Sequence, residues 1–300
     1  MKIAAAAYPI DWHNRWNDYV GKLRVWVRTA AEQGAELLVF PEYGALELAS
    51  LAGEDNARDP ERVLDAVSAR IKDVDELHGS LAREFGVHIC AASGPVRRKG
   101  DRKPVNRARL FAPDGSFEVQ DKMILTRFER EAWRLAPGDA LRVVETALGR
   151  IGILIGCDGA FPLLGRAMVE AGADILLVPA SAESMRDYWR LRIGAMARAF
   201  ENQCVVAHAT TVGPADWLPV AATNHGAAGI FAPPDDGFPE DGVIASGKPD
   251  VAGWVHGEVS LDALRQGRAA IARPALRDWA EQPERTAVVE TVSLGGTAAS

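Results

Sequence analysis

Cysteine is scarce in this chain. Cys90, Cys157 and Cys204 are an odd number, lie far apart and form no CxxC pair, which excludes a disulfide framework and points to a reducing cytoplasm. Positive charge is also short, with 34 Lys plus Arg against 41 Asp plus Glu and a net charge of −7. No broad basic field is available for nucleic acid or anionic lipid, so neither is expected as a partner. No window reaches the roughly 18 uninterrupted apolar residues of a membrane span. The start, MKIAAAAYPI, meets Asp11, His13 and Arg15 before an apolar stretch of signal-peptide length builds up, and no secretory signal is expected. The glycines form no GxGxxG after a strand and no phosphate-binding loop, and the six histidines show no metal-ligand spacing. No cofactor or metal is therefore expected.

What is present is an apolar fraction of 48% over 300 residues, enough to bury a sizeable core. Short apolar runs alternate with longer amphipathic ones. Strands are expected at Ile3–Tyr8, Glu36–Phe40 and Val87–Ala92, and helices at Trp16–Gln33 and Pro60–Phe85, the latter with Pro60 in its first turn and Gly86 as its stop. After a basic turn at Arg97–Lys103, Arg107–Phe111 and Ser116–Gln120 flank the turn Ala112–Gly115 as a hairpin. A second round runs through strands at Leu141–Thr146, Ile151–Ile155, Asp174–Pro179, Gln203–Ala209, Ala227–Ala232 and Trp254–Val259, with helices at Phe161–Ala171 and Asp187–Asn202. Alternation throughout predicts an α/β fold with helix-covered sheets. It reads as one domain over 1–300, with a core to about 265 and a tail over about 266–300.

Three residues stand where chemistry could occur. Glu42 follows the apolar run Leu37–Phe40 and Pro41, at the carboxyl end of a strand, where a desolvated carboxylate can serve as a general base; the plain alternative is a surface loop glutamate. Lys122 ends the second hairpin strand, a position at which a lysine is usually solvated. Cys157 lies in Gly152–Pro162 (GILIGCDGAFP), in a tight turn after a buried strand and before a helix, which resembles a nucleophile elbow whose helix N-terminus would lower the thiol pKa. Cys90 and Cys204 sit inside strand runs and read as core filler. His208 and His225 fall near sheet ends, where pocket residues collect.

Glu42 after Phe-Pro, Lys122 before Met-Ile-Leu, and Cys157-Asp158-Gly159-Ala160-Phe161-Pro162 occur in the order Glu, Lys, Cys, and together resemble the nitrilase superfamily of carbon-nitrogen hydrolases. The likeness extends to Gly172–Pro179 (GADILLVP), Arg198–Gln203 (RAFENQ) and Gly226–Pro233 (GAAGIFAP). The resemblance implies a four-layer αββα sandwich, a homodimer or larger homo-oligomer, and hydrolysis of a non-peptide C–N bond in a small amide or nitrile through a cysteine thioester. Glu42 would move the proton and Lys122 would stabilise the oxyanion. A second glutamate would position them, with Glu129 favoured over Glu131. An amide is favoured over a nitrile because Asp158–Pro162 lacks a tryptophan-glutamate pair.

In one respect the chain departs from that pattern. The nucleophile register of the family pattern, counted from Gly152 and from Phe161 alike, falls on Gly156, and Cys157 stands where that pattern usually has a tyrosine or another non-catalytic residue. Neighbouring residues of an extended chain face opposite ways, so Cys157 inherits the site only through a shifted elbow. Three readings are open: a remodelled elbow that turns Cys157 inward, a catalytically silent ligand-binding or oligomeric partner protein, or a chain whose nucleophile has been replaced. If Gly156 occupies the register, a small void is expected between Glu42 and Lys122.

Overall fold

The computed structural model of the protein describes residues 1–98, 100, 103–269 and 278–292. The first half runs β1 (Lys2–Pro9), α1 (Trp16–Glu32), β2 (Leu37–Val39), a 3-10 helix (Gly44–Ala52), α2 (Glu54–Ala57), α3 (Pro60–Phe85), β3 (His88–Val96), β4 (Val105–Phe111), β5 (Phe117–Asp121) and α4 (Arg127–Glu131). The second runs β6 (Val143–Thr146), β7 (Gly149–Ile153), a 3-10 turn (Gly156–Ala160), α5 (Pro162–Glu170), β8 (Ile175–Ala180), α6 (Met185–Asn202), β9 (Val205–Pro214), β10 (Thr223–Asn224), β11 (Gly229–Phe231), β12 (Val243–Ser246), β13 (Gly253–Glu258) and α7 (Leu261–Ala269).

Strands follow the order β5-β4-β3-β2-β1-β9-β8-β7-β6, with β13 antiparallel on β1, and β11 on β9 carrying β12. The seam is narrow: β1 pairs with β13 from Lys2 to Ala7 but meets β9 only through Ala7–Pro9. Side chains that alternate along each strand then sort into layers. Ile3, Ala5 and Ala7 share one buried cluster with Ile151, Ile153, Leu177 and Ala207, which joins the inner faces of the two half-sheets. Ala4, Ala6 and Tyr8 instead pack against Leu23 and Val27 of α1 and Val63 and Leu81 of α3. Leu176, Val178 and Val206 pack against Met168 of α5 and Ala195 and Ala199 of α6. Helices, sheet, sheet and helices form the four layers of the expected αββα sandwich.

The local signals act as their chemistry requires. Asp59 caps α3 by accepting from the Glu61 and Arg62 amides (2.9 and 3.0 Å), Pro60 fills its first turn, and Gly86 closes it at φ +65°. Strands β4 and β5 form the expected hairpin. Elements without an expectation include the 3-10 helix after Glu42, α2, α4, β10, β12 and α7. Helix α4 carries a readable signal, because Thr126 and Glu129 cap it reciprocally. Residues 99, 101 and 102 of the basic turn, and 270–277 and 293–300 of the expected tail, lie outside the described residues. No helix among the described residues is long and apolar enough to cross a membrane.

Candidate active site

Strand β2 is wholly buried and delivers Glu42 at its carboxyl end, where the side chain is 3% exposed. Lys122 extends β5, held by its amide to the Asn106 carbonyl (2.9 Å) and by its carbonyl to the Gly138 amide (2.7 Å), and is 2% exposed rather than solvated. The two meet: Lys122 Nζ donates to Glu42 Oε1 and to Glu129 Oε1, each at 2.8 Å. Glu129 is buried on α4, where the Tyr43 hydroxyl donates to it, whereas Glu131 is exposed and pairs with Arg127. Asn106 Nδ2 completes the first set by donating to Glu42 Oε1 at 3.0 Å.

Electrostatics follow from two buried acids sharing one buried base. Burial pushes the Glu42 carboxyl up to about 7; Lys122 opposes this, and the Glu129 and Asp158 charges add to it. For Glu129 burial acts the same way, but the Lys122 ammonium and hydrogen bonds outweigh it and hold the carboxyl below the usual range. Burial works against the Lys122 charge too, yet Glu42 and Glu129 keep it firmly protonated, well above an ordinary lysine. A carboxyl near neutrality beside a fixed cation can take up and return a proton.

The elbow is stitched to the Lys122 segment. Asp158 accepts from the Met123 and Ile124 amides (3.0 and 2.8 Å), and the Cys157 thiol donates to the Ile124 carbonyl (3.1 Å). Gly156 takes φ +56°, and a Cβ added there would lie 2.2 Å from Glu42 Oε2. The register position thus points at the base. No void separates Glu42 from Lys122, because the two side chains are in direct contact across the place where one was expected. Cys157, half-buried, lines the same cavity of about 450 Å³ as Glu42, Tyr43, Lys122, Glu129 and Trp133. Its thiol does not have the lowered pKa expected of an elbow: burial pushes it up to about 12, with Lys122 opposing and Glu42 adding.

Other candidates fall elsewhere. Cys90 and Cys204 are fully buried, and burial pushes both thiols up to about 12. His208 is sealed behind Tyr188 and lowered to about 4 by burial, while His225 pairs with Asp250 at 3.0 Å; neither lines the cavity. Among the described residues no group of three His, Cys, Asp or Glu side chains could hold a metal. Tyr43 and Asn106 were not singled out from sequence, and no local pattern marks them. Asp158 was passed over although it stands inside the elbow motif.

A family model described as carbon-nitrogen hydrolase matches residues 2–291. Among curated relatives, the probable hydrolase YhcX of Bacillus subtilis is 31% identical over 89% of this chain and 51% of its own length. The deaminated glutathione amidase of Yersinia enterocolitica is 34% identical over 44% of this chain and 50% of its own. The chain thus spans about half the length of these two relatives. An amidase from Nesterenkonia sp. has a similar crystal structure, with TM-score 0.70 and 22% identity, covering 93% of this chain and 96% of that one.

Proposed function

The chain belongs to the carbon-nitrogen hydrolase family, and from that premise we propose that it hydrolyses a non-peptide C–N bond of a small amide through a thioester on Cys157. The reading rests on one observation: Glu42, Lys122 and Glu129 converge at 2.8 Å contacts in a cavity whose lining includes a single thiol among the described residues. Lys122 donates to the amide oxygen as it gains negative charge. Cys157 leaves the Ile124 carbonyl and its sulfur bonds to the amide carbon while its proton passes to Glu42. With a thiol near 12 and an acceptor near 7, that transfer accompanies attack rather than preceding it. The C–N bond breaks as Glu42 returns the proton to the leaving amine. Water then adds to the thioester with Glu42 as base, releasing the acid and the thiol. Glu129 touches Lys122 and orients it.

The test is ammonia or amine release from small aliphatic, aromatic and N-carbamoyl amides by the wild-type chain and by Cys157→Ala, Cys90→Ala and Cys204→Ala. Only Cys157→Ala should abolish release; turnover that survives it removes Cys157 from the reaction. A second reading is favoured by Gly156, which aims at Glu42 but carries no side chain: a silent member that binds an amide or carboxylate without cleaving it. It expects no wild-type release, and activity in Gly156→Cys only where the Glu42 carboxylate shifts to make room for the new Cβ. We further propose that copies of the chain pair through α6, where Trp189, Ile193 and Phe200 stand exposed. Light scattering that reports only monomer at micromolar concentration would count against pairing.

A further inference from the structure

Directly after Glu42 the backbone is under strain. Tyr43, a non-glycine residue, sits at φ +60° in the left-handed region. The following 3-10 helix runs for nine residues, although poor hydrogen-bond geometry normally limits such helices to one turn. Such a segment persists only where contacts from outside over-determine it.

Those contacts gather on Glu47, which is 1% exposed and touches no group of the cavity. The Tyr8 hydroxyl of β1 donates to Glu47 Oε1 at 2.5 Å. Lys22 of α1 donates to Oε2 at 2.7 Å, and His13 Nε2 and the Asp11 amide each lie 3.3 Å from the same oxygen. Lys22 is itself fixed by the Pro9 carbonyl at 2.6 Å and Asp11 at 2.9 Å. One carboxylate therefore ties the segment to β1, to the loop that follows it and to α1.

We propose that Glu47 is a positioning residue: by clamping the 3-10 helix that follows Glu42, it holds the Glu42 carboxylate sealed against Lys122. The proposal rests on Glu42 as the proton carrier. Glu42 is faced by Lys122 from the end of β5, Glu129 from α4, Asn106 from β4, and Asp158 and Cys157 from the elbow. Glu47 acts on it only through the backbone. Loosening that backbone admits water, and because burial is the largest influence on Glu42, its proton affinity then relaxes downward toward an ordinary carboxylate.

The experiment is a carbon-13 NMR titration of the Glu42 carboxyl, assigned with Glu42→Gln, in wild type, Glu47→Gln and Tyr8→Phe. The midpoint should fall by about one pH unit or more from its value near 7 in Glu47→Gln and by less in Tyr8→Phe, with cooperative unfolding retained. On any amide that is turned over, kcat should drop roughly tenfold or more with KM little changed. A folded Glu47→Gln with an unmoved midpoint overturns the proposal. If Glu47→Gln does not fold, Tyr8→Phe decides it, and an unmoved midpoint there overturns it equally. A shifted midpoint in a chain that cleaves no amide would sink the hydrolase reading and leave the positioning role standing.

Discussion

Two buried glutamates five residues apart illustrate how neighbours decide what a carboxylate does. Glu42 shares one ammonium with Glu129 and has a third acid, Asp158, close by; burial prevails and its carboxyl rises to about 7. Glu47 is buried as deeply, but Lys22 and His13 outweigh burial and hold its carboxyl below the usual range. Equal burial therefore yields a proton carrier in one place and a permanent anion in the other. A carboxylate used in chemistry must be able to change charge near neutral pH. One that fixes a backbone must not.

The strongest way to break the comparison is to remove the shared cation. Lys122→Met leaves Glu42 and Glu129 facing each other in a dry site, which should cost roughly 3–5 kcal/mol of stability at pH 8 and less near pH 5, as Glu42 takes up a proton. Urea unfolding at the two pH values measures this, and any amide turnover should fall on the order of a hundredfold or more with the oxyanion donor gone.

The pH dependence of stability separates the two glutamates next. Glu42 holds its proton more tightly folded than unfolded, so its contribution is lost as pH rises from the ordinary carboxylate value through about 7, on the order of 3 kcal/mol. Glu47 has the opposite sign: its contribution is complete above the ordinary carboxylate value and is lost as pH falls through its lowered folded value. Unfolding free energies across pH 3–8 should therefore lose their decline above pH 5 in Glu42→Gln and part of their acid-side decline in Glu47→Gln. A Glu42→Gln profile parallel to wild type would show that the Glu42 carboxyl is not raised.

Smaller effects belong to the edges of the site. Tyr43→Phe removes one hydrogen bond to Glu129 and leaves its packing on Trp133, so about 1–2 kcal/mol of stability should go. Glu131→Ala breaks only the exposed pair with Arg127 and should change stability by less than about 0.5 kcal/mol and turnover not at all. An effect of Glu131→Ala as large as that of Lys122→Met would reverse the choice of Glu129.

Much of this protein can be read from local chemistry alone. The short continuous apolar runs of β1 and β8 and the Asp59, Pro60 and Gly86 signals of α3 specify their elements, because a bounded apolar run of strand length and a helix cap are both local signals that act within a few residues. Glu42, Lys122 and the elbow are legible only as a set, through their resemblance to the nitrilase superfamily; local position alone leaves Glu42 open to a surface reading and Lys122 to a solvated one. Tertiary structure alone decided the rest. That Lys122 is buried, that Glu129 rather than Glu131 meets it, and that Gly156 points at Glu42 while the Cys157 thiol turns to Ile124 all depend on where separate strands end in space. The clamp on Glu47 gathers side chains from positions 8, 13 and 22, and no spacing in the chain announces it. Charge states follow the same division, since a pKa is set by burial and by partners brought in from elsewhere in the chain, and identical glutamates differ only once the fold has chosen their neighbours.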